Sequence, residues 1–67
     1  MKSFSEKIKE ARETLNLNQQ QLGDLAGVSK RSIAAYETEG TKPRGNVARK
    51  LANALKVSID FLLNDDI

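Results

Sequence analysis

The chain has 67 residues and a net charge of +2, with 39% hydrophobic and 30% charged residues and neither Cys nor His. That length suits one small domain with a modest core and a thin stability margin. Without Cys or His there are no disulfides, no thiolate or imidazole metal ligands, and no Ser–His or Cys–His pair for nucleophilic catalysis.

The first residues, MKSFSEKIKEARETLNLN, alternate charged and apolar side chains and hold no apolar signal core. No apolar run approaches the ~20 residues of a membrane span. A soluble, cytoplasmic protein with no membrane partner is expected. Ser3 and Glu6 make a capping box, and behind it Phe4, Ile8, Ala11 and Leu15 recur along one face of a helix. Asn16 stands where that helix should stop, because Asn tolerates the left-handed conformation. Asn18 caps the second helix with Gln21 as its reciprocal partner, and Leu22, Leu25 and Ala26 form the core face.

Gly27 ends the second helix, Val28 fills the corner, and Ser29 caps the third, which runs to about Thr38 with Ile33 and Tyr36 inward. Gly40 and Pro43 mark a turn. A fourth helix begins between Arg44 and Val47 and carries Val47, Leu51, Ala54 and Leu55 on one face. Ser58 caps a last short helix holding Ile59, Phe61, Leu62 and Leu63, with Asp60 in its first turn, favourable to the helix dipole. The expected fold is all-α, five short helices around one core, in a single domain over 1–67 with no linker or internal repeat.

Charge is unevenly spread. Between Ser29 and Lys50, Lys30, Arg31, Lys42, Arg44, Arg49 and Lys50 face only Glu37 and Glu39, whereas the end of the chain carries Asp60, Asp65 and Asp66 and no base. Glu10 and Glu13 read as a solvated helix face rather than an acid/base pair, and the three Asp residues lack Ca²⁺-loop spacing. Gly23 and Gly27 do not form a phosphate loop. No enzymatic activity, metal or cofactor is expected.

The stretch QQQLGDLAGVSKRSIAAYE meets the demands of a helix-turn-helix, in a unit spanning about 19–38. The two helices approach where a residue must be small, and Gly23 stands there. The chain then turns tightly at Gly27, which takes positive φ without steric cost. Leu22, Ala26, Val28, Ile33 and Tyr36 occupy the core-facing places in register.

NQQQLGDLAGVSKRSIAAYE followed by LANALKVSIDFLL resembles the phage-repressor and Cro-like helix-turn-helix domains, the XRE family of bacterial regulators. The resemblance runs from Phe4 to Leu63. It rests on the Gln opening the second helix, the Gly-Val-Ser turn, the Tyr-Glu ending the third helix and the L-x-V-S-x-D-x-L-L tail. It implies a five-helix lambda-repressor-like fold and a sequence-specific, double-stranded-DNA-binding transcriptional regulator, most simply a repressor. It also implies a homodimer on a two-fold operator and a bacterial or phage-encoded protein at the nucleoid. The competing reading is an antitoxin or protein-binding module on the same fold. Two departures stand out. Gly40 comes late after Tyr36-Glu37, as though Glu39 were inserted, which bears on the following loop. Gly45 and Ala48 replace usual apolar residues, which implies a thinner core under the fourth helix or a later start to it.

In such domains the third helix enters the major groove N-terminus first. Lys30, Arg31, Ser32 and Ala35 are then the candidate base readers. Arg31 can bond bidentately to guanine, Lys30 can reach the same acceptors less rigidly, and the Ala35 methyl can meet a thymine methyl. The other reading of Lys30 and Arg31 is phosphate contact alone, and that of Ala35 is helix propensity. The residue matching Gln19 contacts DNA in the resembling domains, and that role carries over to Gln19. Asn18 either favours a phosphate at the helix N-terminus or simply caps. Lys42 and Arg44 are candidate phosphate contacts that set orientation, while Arg49 and Lys50 read as solvated. The resemblance pairs Arg12 with Glu37, locking the third helix to the first. It places a dimer contact at Val57, Ile59, Phe61 and Leu62, with core packing the alternative for Phe61 and Leu62. A patch this small would give a weak dimer, formed mainly on DNA.

Overall fold

Side-chain caps mark where the helices begin. The structure, a computed structural model, describes residues 3–63, so Asp65 and Asp66 lie outside the described residues. Its elements are α1 (Phe4–Thr14), α2 (Gln19–Ala26), α3 (Lys30–Thr38), α4 (Gly45–Leu55) and α5 (Ile59–Leu63). Ser3 accepts the Glu6 N–H at 3.3 Å while the Glu6 carboxylate accepts the Ser3 N–H at 3.2 Å. Asn18 and Gln21 repeat this reciprocal box at 2.7 and 2.8 Å. Ser29 accepts from the Ser32 N–H at 3.1 Å and Ser58 from the Phe61 N–H at 3.0 Å. Each cap satisfies an N–H that has no partner inside its helix. α4 starts without a side-chain cap, at Arg44.

Three helix ends close alike. Asn16, Gly27 and Lys56 take φ of 59°, 69° and 60°. The next residue in each case sends its N–H back five positions: Leu17 to Arg12, Val28 to Gly23, Val57 to Ala52. This is the Schellman closure, in which a left-handed residue returns the chain onto the last turn and an apolar residue follows it.

α2 packs on α3 and α4, α1 on α3, and α5 closes the fold against α4 and α1. Phe4, Ile8, Leu22, Ala26, Ile33, Leu51, Ala52, Leu55 and Leu62 form the buried cluster, with Val28, Tyr36, Val47, Val57 and Ile59 packed against it. Leu25 corrects the expected core face of α2: it is 63% exposed, and Gly23 is buried in its stead. α4 begins at Gly45, not later, and Ala48 is wholly buried. Val47 and Ala54 form the margins of its buried face and Ala48 and Ala52 its centre, because small residues let α4 approach closely.

Candidate nucleic-acid interface

The bend between α2 and α3 depends on Gly23. A Cβ built there would collide with the backbone carbonyl oxygen of Val28. The same Val28 donates its N–H to the Gly23 carbonyl at 2.8 Å, so the turn folds directly onto the helix it leaves. Gly27 plays a different part: a Cβ there meets nothing within 4 Å, and only its left-handed φ favours glycine.

α3 is held at its far end. Arg12 on α1 donates from Nε to Glu37 Oε2 at 2.7 Å and from Nη2 to Oε1 at 3.1 Å, and its Nη1 donates to the Leu17 carbonyl at 2.7 Å. The pair is largely buried, with side-chain exposures of 12% and 4%. The hydrogen bond with Glu37 raises the Arg12 pKa and partial burial opposes it, so the guanidinium keeps its charge. Ser5 adds a bond from its hydroxyl to the Tyr36 carbonyl at 2.8 Å, and the Phe4 and Tyr36 rings meet edge-on with centroids 6.2 Å apart.

The near end of α3 faces outward. Lys30 and Arg31 are exposed in its first turn. Ser32 and Ala35 are half-buried, and the Ser32 hydroxyl oxygen accepts the Ser29 hydroxyl at 3.0 Å. At the start of α2, Asn18 is engaged as the N-cap, and Gln19, half-buried, donates from Nε2 to Glu37 Oε1 at 3.3 Å. The structure thus brings Arg12, Gln19 and Glu37 into one cluster. Lys42 and Arg44 are exposed in the segment before α4, and Arg49 and Lys50 are exposed on it.

Among the four residues expected at a dimer contact, Leu62 is wholly buried, so its side chain belongs to the core and is not available to a partner. Phe61 is the reverse case, 46% exposed, because α5 turns Leu62 toward α4 and α1 and leaves its neighbour on the rim. Val57 and Ile59 are half-buried. Phe61 and Val57 border an open groove of about 530 Å³ with Ala11, Leu15 and Leu55.

Lys7 escaped the sequence reading. It is only 2% exposed, its Nζ donates to the Phe61 carbonyl at 3.1 Å, and it lies 5.3 Å from the centre of the Phe61 ring. The available signal was positional: Lys7 sits on the apolar stripe, three residues after Phe4 and four before Ala11. Among the described residues no helix is long and apolar enough to cross a membrane, and no acidic cluster suited to a metal is found.

The helix-turn-helix family model matches residues 8–62. Repressor protein C2 of Salmonella phage P22 is 37% identical over 64 residues, which cover 96% of this chain and 30% of the repressor. The HTH-type transcriptional regulator YqaE of Bacillus subtilis (strain 168) is 33% identical over 63 residues, 94% of this chain and 54% of that one. The chain therefore spans about half, or less, of the length of these relatives. The crystal structure of the P22 c2 repressor in complex with synthetic operator 9T superposes with a TM-score of 0.91 at 35% identity, covering 98% of this chain and 100% of the other. With residues 8–62 matched by the model and nearly the whole length by relative and structure, the chain belongs to the helix-turn-helix family.

Proposed function

We propose that the protein is a sequence-specific transcriptional regulator, most simply a repressor, that reads double-stranded DNA by placing α3 in the major groove. The carrying observation is the build of α3. Its C-terminal end is fixed by Arg12–Glu37 and Ser5–Tyr36, and its first turn presents Lys30 and Arg31 to solvent. A rigid helix with its bases at an exposed N-terminal tip suits base-edge recognition. The likeness to a repressor solved on its operator supports the reading.

In this reading Arg31 and Lys30 meet base edges, with Ser32, Ala35 and Gln19 beside them. Asn18, Lys42 and Arg44 lie along the phosphates. Residues 1–67 act as one DNA-binding domain in the cytoplasm, where the DNA is. Two copies bind a two-fold operator through Val57, Ile59 and Phe61, and the groove bordered by Val57 and Phe61 supports a small contact that forms chiefly on DNA. Leu25 and Phe61 are the exposed large apolar side chains among the described residues, and single exposed apolar residues do not call for a protein-holding module.

Selection of bound sequences from random duplexes tests this reading and should return a two-fold site. On that site Arg31→Ala should lose about 1–3 kcal/mol and relax the preference at one base pair per half-site. Lys42→Ala should weaken binding to every duplex alike and lower the salt slope by about one unit. Equal losses on the selected and a scrambled duplex for Arg31→Ala would make Arg31 a phosphate contact. No change with either variant would move the interface elsewhere.

A further inference from the structure

The carboxylate of Glu37 serves two helices besides its own. Oε2 accepts Arg12 Nε at 2.7 Å, while Oε1 accepts both Arg12 Nη2 at 3.1 Å and Gln19 Nε2 at 3.3 Å. A carboxylate held in a guanidinium fork is an acceptor only. It therefore dictates which end of the Gln19 amide turns inward, a choice that the shape of the amide leaves open. The NH₂ must face Glu37.

We propose that Glu37 is a positioning residue for Gln19, holding its side-chain amide so that the carbonyl Oε1 and the second Nε2 proton are presented to DNA in a fixed orientation. The inference rests on the proposed DNA contact of Gln19. Rotation about the last torsion of a glutamine exchanges its donor and acceptor faces, and that torsion is broad and soft. Anchoring one proton on a buried carboxylate removes the exchange before DNA arrives, so less ordering remains to be done on binding. Arg12 makes the arrangement compatible with a polyanion, because its guanidinium compensates the Glu37 charge within the cluster. The anchor is itself braced, since Arg12 also holds the Leu17 carbonyl one residue before the α2 cap.

Two measurements test this. In the DNA-free protein, NMR should find one Gln19 Nε2 proton shifted downfield and slow to exchange, and the effect should vanish in Glu37→Gln. A Gln19 amide pair that behaves like free glutamine overturns the proposal, even if Glu37→Gln fails to fold. The second is a double-mutant cycle of affinity for the selected duplex, with Gln19→Ala, Glu37→Gln and the double variant, each checked for folding by circular dichroism. Gln19→Ala and Glu37→Gln should each weaken binding by about two- to fivefold, and the double variant by clearly less than the product of the two factors, because the part of the Glu37→Gln loss that acts through Gln19 is already gone while the part from a loosened α3 remains. A purely structural Glu37 would give factors that multiply, which overturns positioning. If the parent shows no sequence-dependent binding at all, the functional reading fails, and the amide signals still decide whether Glu37 holds Gln19.

Discussion

Arg12 places one nitrogen on the Leu17 carbonyl and two on Glu37, so a single side chain joins α1, the following loop and α3. Removing it leaves a mostly buried carboxylate poorly compensated. Arg12→Ala should cost about 1–3 kcal/mol and weaken DNA binding through a loosened α3. Equal denaturation midpoints for variant and parent would contradict this. Its raised pKa has a definite sign: the contribution is complete below the unfolded value and is lost only as pH rises through the higher folded value. Both lie far above neutrality, so Arg12 itself adds no pH dependence in the working range. Gly23 sets two effects against each other. Alanine would gain about 1 kcal/mol of helix propensity. Its Cβ, however, would strike the Val28 carbonyl, a backbone atom that moves only if the turn does. Such overpacking costs about 1–3 kcal/mol, so Gly23→Ala should lower the urea midpoint. An unchanged or higher midpoint would show that the turn yields easily.

Three of the four joints between helices share a three-residue plan. Asn16-Leu17-Asn18, Gly27-Val28-Ser29 and Lys56-Val57-Ser58 each run left-handed residue, apolar plug, N-cap. The first residue closes the preceding helix, the second packs against the core at Val28 and Val57 and is half-buried at Leu17, and the third opens the next helix, so the chain reverses with few polar backbone groups left unpaired. Of these three, only Gly27-Val28-Ser29 has the glycine that the first place favours. Lys56 takes the left-handed conformation against its preference, and its side chain is exposed. Lys56→Gly should therefore stabilise the fold by about 0.5–1 kcal/mol, and Gly27→Ala should destabilise it by about 1 kcal/mol. Thermal melts of the two variants should shift in opposite directions. A shift in the same direction would mean that contacts beyond the backbone dominate at one of the joints.

At the scale of the whole molecule, α5 has only five residues, too short to stand alone, and depends on what it packs against. Leu62 seals the core and Lys7 reaches from α1 to the Phe61 carbonyl. The stem of Lys7 packs like an apolar side chain while its ammonium supplies the bond. Lys7→Met keeps the stem and removes the ammonium. It should cost about 1 kcal/mol globally and speed amide exchange in α5 ahead of α2 and α3. If α5 exchanges at the parent rate, the packing of Leu62, Ile59 and Leu63 holds it without Lys7. Because Phe61 and Val57 flank the same groove, loosening α5 should also weaken the proposed two-fold association on DNA.

Helix boundaries were legible in the amino-acid order because their causes lie within a few residues of each other. Ser3, Asn18, Ser29 and Ser58 cap through partners three positions away, and Asn16 and Gly27 take the left-handed conformation where expected. The helix-turn-helix register was legible for the same reason, and with it the family. Which flank of each helix is covered was not. Leu25 follows Leu22 by three positions and reads as core, yet α3 and α4 cover the side of α2 that carries Gly23 and Ala26. Lys56 gives no local sign that it will turn left-handed. Lys7 reads as a surface cation until α5 folds over it, and Gln19 reads as a polar residue facing DNA until the end of α3 brings Glu37 to its amide. Burial and long-range pairing depend on neighbours brought together only by the packing of all five helices, whereas a cap or a positive φ depends on the next few peptide units.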